Sequence, residues 1–246
     1  MKPGLIIPQW PAPVNVQAAT TTRQGGVSKP PFDSLNMAGH VGDDPAAVAA
    51  NRRLVAQELS LPDKPWWLSQ VHGTDVVTID KGDGGLPEGD ASMTQEAGCV
   101  CVVLTADCLP VLFCDRAGSR VAAAHAGWRG LSAGVLEATV NALAVPGNEI
   151  FAWMGPAIGP RSFEVGEEVY QAFVDQDAKT AGSFVVSRPG HWLADLYELA
   201  RRRLASVGVT AVYGGRFCTF EEQKRFYSFR REGKTGRMAS LIWLQP

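Results

Sequence analysis

Between residues 99 and 126 the chain is apolar almost without relief. CVCVVLTADC and PVLFCD read as two strands buried on both faces, RAGS as a turn, and RVAAAHA as a third run. Elsewhere the pattern is periodic. DDPAAVAANRRLVAQELSL places Val48, Leu54, Val55 and Leu59 on one helical face, with Asp44 as N-cap and Pro45 at the first helical position. The glycines of GWRG break the third run, and LSAGVLEATVNAL then takes helical spacing through Leu131, Val135, Leu136, Val140 and Leu143. WWLSQVHG and DVVTID read as extended, EIFAWMG as a strand and PAIGPRS as a loop. GEEVYQAFVDQD and HWLADLYELARRRLASVG read as helices, the second with His191 at its start. AVYGG, RFYSFRR and RMASLIWL read as closing strands. Intermixed strands and helices with several hairpins point to mixed sheets covered by helices. GDGGLPEGD (82–90) is the strongest break, and its length makes it a surface loop. One domain over residues 1–246 is expected.

Composition narrows the partners. The chain of 246 residues carries 23 basic and 25 acidic side chains, a net charge of −2, so no basic footprint for nucleic acid is present. MKPGLIIPQWPAPVNV has an apolar run too short for a signal-peptide core, and no other segment reaches membrane-spanning length. A cytoplasmic protein follows as the expectation, in which the 5 cysteines serve packing, metal binding or nucleophilic chemistry rather than disulfides.

Only 4 histidines are present. His72 stands after WWLSQV and before Gly73, whose missing side chain leaves the imidazole approachable; His125 stands at the end of a strand, before AGWRG. Cys108 lies between them in sequence. The spacing lacks the short pairs that make a metal site readable, and leaves open that Cys108 is a small buried group and His125 a hydrogen-bonded core residue. Asp107 beside Cys108 is a candidate proton carrier or partner orienting an imidazole, and Asp75, three positions past His72, is either the same or, more readily, a capping or turn residue. Gln70, two positions before His72, shares its strand face and is a candidate ligand contact. For an anion, TTRQGGVS offers Arg23, RR…TGR offers Arg230, Arg231 and Arg237, and Arg129 follows His125 on the loop opening a helix; Arg23 and Arg129 are preferred. Gly155 and Gly159 in MGPAIGP would wall a planar ligand. Cys99, Cys101 and Cys114 read as core, and His40 and His191 lack supporting neighbours.

TTRQGGVSKPPFDSLN, SQVHGTDVV, TADCLPVLF, AAAHAGWRG, MGPAIGP and FYSFRREGKTGRMASLIWL occur in this order from about Arg23 to Leu244. Together they resemble the polyphenol oxidase (laccase-domain) family, regarded as purine nucleoside phosphorylases. The resemblance implies an α/β (α+β) fold with mixed sheets layered with helices, α-β-β-α sandwich-like. It implies a metal held by His72, Cys108 and His125, best matched by zinc, with copper the lesser choice. Three such ligands leave a tetrahedral position open, and zinc there lowers the pKa of water toward neutrality. A blue-copper centre normally adds an axial ligand that no sequence signal assigns, and 4 histidines cannot also supply a trinuclear cluster. The implied activity is phosphorolysis of adenosine, inosine, guanosine and methylthioadenosine, together with adenosine deamination; the partners are nucleosides and phosphate. The alternatives are a cysteine hydrolase using Cys108 and His125, a factor editing cell-wall precursors, and a metal-dependent binding module without turnover.

Overall fold

Every residue of the strands formed by the three central apolar runs is buried, which explains why they show no polar alternation: each strand has protein on both faces. In the structure, a computed structural model describing residues 2–82 and 85–246, these runs belong to two different sheets. One sheet has the order β1 (Leu5–Ile6), β2 (Val16–Thr21), β13 (Met238–Leu244), β5 (Val100–Thr105), antiparallel throughout. The other runs β12 (Ala211–Gly214), β8 (Ile150–Met154), β6 (Leu109–Asp115), β7 (Val121–Ala126), β4 (Ala91–Thr94), β3 (Val76–Thr78), parallel only at its two edges. A small antiparallel sheet joins β10 (Phe184–Arg188), β11 (His191–Ala194) and β9 (Glu164–Gly166).

The period of two along each strand then separates the layers. On β6, Leu109, Val111 and Phe113 pack with Val135, Leu136 and Val140 of α3 (Val135–Leu143) and with Leu199 and Leu204 of α5 (Leu196–Ser206). Leu112 and Cys114 point the other way, into a middle layer shared with Val16, Cys101, Val103 and Ile242 of the four-stranded sheet. The far face of that sheet, Val100, Val102, Leu104 and Leu241, packs on Val55 of α1 (Pro45–Glu58). The result is the α-β-β-α layering that the resemblance implies. No helix among the described residues is long and apolar enough to cross a membrane.

Local signals worked where one residue type has one use. Asp44 caps α1 by accepting from the Ala46 amide at 2.9 Å, and Pro45 follows at the first helical position. The run 131–143 is helical and all five predicted core positions are buried. It is divided by Gly134 at φ 103° into α2 (Trp128–Ala133) and α3. Three expectations change. HWLA is strand β11 rather than the start of a helix, because it pairs with both β10 and β9, so His191 opens a strand. RFYSFRR is not a strand. Ser228 caps a short helix α6 (Phe229–Glu232), the remaining helix being α4 (Glu167–Val174). WWLSQV makes only isolated bridges, Trp66 to Cys101 and Ser69 to Glu88. Within the expected loop 82–90, residues 83 and 84 lie outside the described residues.

Candidate functional site

The chain passes from one sheet to the other between Thr105, the last residue of β5, and Leu109, the first of β6. Cys108 sits in that crossing, after Asp107, whose φ of 88° turns the chain. On β7, alternation sends Ala124 and Ala126 to the helical side, so His125 faces the middle layer at the end of its strand. His72 also has a left-handed backbone, φ 63°, in the loop before β3. The three side chains meet: their donor atoms lie within 4.8 Å of one another. Cys108 Sγ is 4.0 Å from His72 Nε2, and the two imidazoles stand edge to face with centroids 4.8 Å apart.

Asp90, which the sequence did not single out, organises the group. Fully buried just before β4, its carboxylate accepts from the backbone amides of Val71 (3.1 Å), His72 (3.0 Å) and Gly73 (2.6 Å). It also accepts from His125 Nδ1 at 2.7 Å. An ionised carboxylate only accepts, so Nδ1 of His125 carries a proton, and Nε2 is the nitrogen that can give up its own proton to take a metal. The strained loop and the ring on β7 are thus fixed by one side chain. Gly73 is not needed for access, since a Cβ there would make ordinary contacts of 3.5 and 3.6 Å. The glycine that makes room is Gly127: a Cβ on it would lie 3.0 Å from both Cys108 Sγ and His72 Cδ2.

Charge follows geometry. Burial alone would raise the Cys108 thiol, but the His125 charge and hydrogen bonds from both imidazoles bring its pKa down to about 6. Burial likewise disfavours protonated His125, yet the Cys108 thiolate and Asp90 raise it to about 9. Burial would raise Asp90 too, and the bonds from His125, Gly73 and Val71 outweigh it, so its pKa is lowered. Cys101 and Cys114, buried without such partners, are pushed up to about 12 and serve packing.

The donors open on a cavity of about 250 Å³, the unfilled end of the middle layer. Its walls include His40, Gln70, Thr105, Phe229 and Arg237. Gln70 is spent on structure, donating to Leu104 O (2.9 Å) and accepting from Leu104 N (2.7 Å). Thr105 is buried, and its hydroxyl has no hydrogen-bond partner among the described residues. Arg237 donates through Nη1 to the carbonyls of Thr235 and Gly236, and its guanidinium carbon lies 5.6 Å from the centre of the exposed Phe229 ring.

The other singled-out residues lie apart from this wall. Asp107 is fully engaged as an anchor: its carboxylate accepts from the hydroxyls of Thr219 (2.6 Å) and Ser228 (3.0 Å) and from the amide of Arg230 (2.7 Å). Arg23 pairs with Glu232 at 2.7 Å, lies over Tyr227, and lines a different hollow with Asp33 and Gln223. Arg129 is exposed and lies over its neighbour Trp128. Gly155 permits close packing, since a Cβ there would lie 2.8 Å from Pro110, and the Gly159 amide donates to Cys218 Sγ at 3.3 Å. Arg230 and Arg231 donate to backbone carbonyls, so of RR…TGR only Arg237 reaches the cavity. The Asp75 carbonyl, not its carboxylate, serves the site by accepting from the amides of Asp90 and Ala91.

Comparison with known proteins finds similarity along nearly the whole chain. A purine nucleoside phosphorylase of Pseudomonas aeruginosa is 58% identical over 241 residues, 98% of each chain. Purine nucleoside phosphorylase YfiH of Escherichia coli is 55% identical over 240 residues, again 98% of each. A solved Neisseria meningitidis protein superposes with a TM-score of 0.95 at 51% identity, covering 99% of this chain and 100% of that one. YlmD from Geobacillus stearothermophilus superposes with a TM-score of 0.87 at 34% identity, covering 95% and 93%. Residues 17–245, from β2 through the crossing that carries Cys108 to the end of β13, match one family description, and the chain belongs to that family, the multi-copper polyphenol oxidoreductase laccases.

Proposed function

We propose that the chain is a zinc-dependent purine nucleoside phosphorylase acting in the cytoplasm on adenosine, inosine, guanosine and methylthioadenosine with inorganic phosphate. The observation that carries the reading is the convergence of His72, Cys108 and His125 on one cavity wall, in a chain 55–58% identical to proteins named for that activity. The donor set fits zinc. A triangle with sides up to 4.8 Å brackets one ion, an ionised thiolate is available near neutrality, and the Asp90–His125 bond is the usual support for a metal-bound imidazole. No methionine lines the cavity among the described residues, so a blue-copper axial ligand is not at hand. When bound, zinc supplies Lewis-acid polarisation of an oxygen at the cavity wall.

The chain's own residues do the rest. Arg237 offers the permanent positive charge for phosphate. Phe229 offers an exposed ring face against which a purine can stack. Asp90 keeps a proton on His125 Nδ1. Gln70 shapes the wall without reading the base, its amide being consumed by Leu104. Adenosine deamination, the finer activity, calls for a carboxylate acid-base group in the known zinc deaminases. The described cavity wall holds none, so phosphorolysis comes first. The test is phosphate-dependent release of hypoxanthine and ribose 1-phosphate from inosine, abolished in His72→Ala and His125→Ala. Zinc-replete protein that releases no base with phosphate refutes the reading.

One observation favours a second reading. With its pKa near 6, beside a His125 backed by Asp90, Cys108 also has the surroundings of a cysteine-hydrolase nucleophile. Iodoacetamide separates the two: zinc protects Cys108 in a metalloenzyme and leaves it reactive in a hydrolase. Metal analysis of the native protein beside Cys108→Ser gives the identity and stoichiometry of the ion.

A further inference from the structure

We propose that His40 delivers the proton that a departing purine takes up at N7. The inference rests on the phosphorolysis reading. In that reaction the C1′–N9 bond breaks, its electron pair stays with the purine, and a phosphate oxygen forms the new bond to C1′. The base leaves neutral only if its imidazole ring gains a proton. The donor must titrate near neutrality, reach the cavity and be recharged from solvent.

Elimination along the cavity wall leaves one such group among the described residues. His72, Cys108 and His125 are the metal donors. Arg237 holds its proton, and the Thr105 hydroxyl and Gln70 amide do not titrate in this range. Asp107, the nearest carboxylate in sequence, has both oxygens occupied by Thr219, Ser228 and Arg230. His40 remains, exposed at the mouth on the loop before α1, where solvent can return its proton.

Its surroundings couple that proton to the co-substrate. Partial burial, then the charges of Arg237 and Arg52, hold its pKa below the ordinary histidine value, so the resting imidazole is neutral at pH 7. Lys234 lies close to Gly42, two positions past His40. The carboxylate of Asp43, on the same loop as His40, is taken by Ser28 and Asn36. An anion beside Arg237 offsets these cations and favours imidazolium. Phosphate and the proton therefore enter together, and the imidazolium becomes neutral again when N7 is protonated.

The test uses two nucleosides with the zinc-replete enzyme. Inosine needs the proton, whereas 7-methylguanosine already carries a methyl group and positive charge on its imidazole ring and departs without one. His40→Gln lowers kcat on inosine by about 100-fold and leaves 7-methylguanosine within about threefold of wild type. Equal loss on both nucleosides, or no loss on inosine, overturns the proposal. Wild-type protein that cleaves neither nucleoside with phosphate overturns the phosphorolysis reading itself. In parallel, the His40 proton resonances followed against pH show a higher pKa when inorganic phosphate is added; an unmoved titration also overturns the coupling.

Discussion

Replacing Asp90 by asparagine keeps the volume of the side chain and removes half of what it accepts. Oδ1 takes the His72 amide and His125 Nδ1, and Oδ2 takes the amides of Val71 and Gly73. Whichever way the amide settles, its NH₂ faces two donors. At about 1–3 kcal/mol for each orphaned donor, and with a buried ion pair broken, Asp90→Asn costs about 3–5 kcal/mol. For a domain of this size that lowers Tm by roughly 6–20 °C. Zinc affinity falls about 10–100-fold, because either the His125 tautomer or the His72 loop loses its support. The lowered pKa of Asp90 fixes the sign with pH. The carboxylate contributes its full stability above the ordinary carboxylate pKa and loses it as pH falls through the lower folded value. The gap between wild type and variant is therefore widest near neutrality and closes in acid. Thermal unfolding against pH, with zinc affinity from competition against a chromophoric chelator, measures both effects. A variant whose Tm stays within about 2 °C of wild type and whose zinc affinity stays within about twofold would refute the role given to Asp90.

Other outcomes follow from the same geometry. Gly127→Ala puts a methyl group 3.0 Å from Cys108 Sγ and His72 Cδ2, so zinc affinity falls about tenfold in the chelator assay while Tm changes little, the backbone φ of −63° suiting alanine. Thr105→Val removes a buried hydroxyl without a partner, so Tm in thermal unfolding is equal to or higher than that of wild type. Stripping the metal leaves a Cys108–His125 ion pair. Cys108, lowered to about 6, loses its contribution as pH falls through that value, and His125, raised to about 9, loses its own as pH rises through that value. The stripped protein is thus most stable between these limits. Its Cys108 alkylates at a rate that levels off above about pH 6, and added zinc suppresses the reaction.

The donors were legible because cysteine and histidine are few and stood at the ends of readable strands, although only the resemblance chose among the uses open to them. Asp90 was not legible. Three of its four partners here are backbone amides, which have no sequence signature, and it closes a stretch whose glycines read as a surface loop. The arginines show a related limit: Arg129 follows His125 closely in the chain, but its side chain extends to solvent, whereas Arg237 reaches the cavity from the far end of the sequence. Strand and helix assignments failed where tertiary pairing outweighed local pattern. HWLA became a strand by lying between two others, and RFYSFRR became a capped turn of helix once Asp107 accepted the Arg230 amide.

The crossing of the chain from one sheet to the other would give a bound ion a mechanical meaning. His125 rides on one sheet, Cys108 on the bridge between the two, and His72 on a loop pinned to both, through Gln70 to β5 and Asp90 beside β4. A metal bound there acts as a rivet through the stacked layers and as a gauge of their alignment. Slippage deep between the sheets, far from any substrate, would show first as a loosened ion.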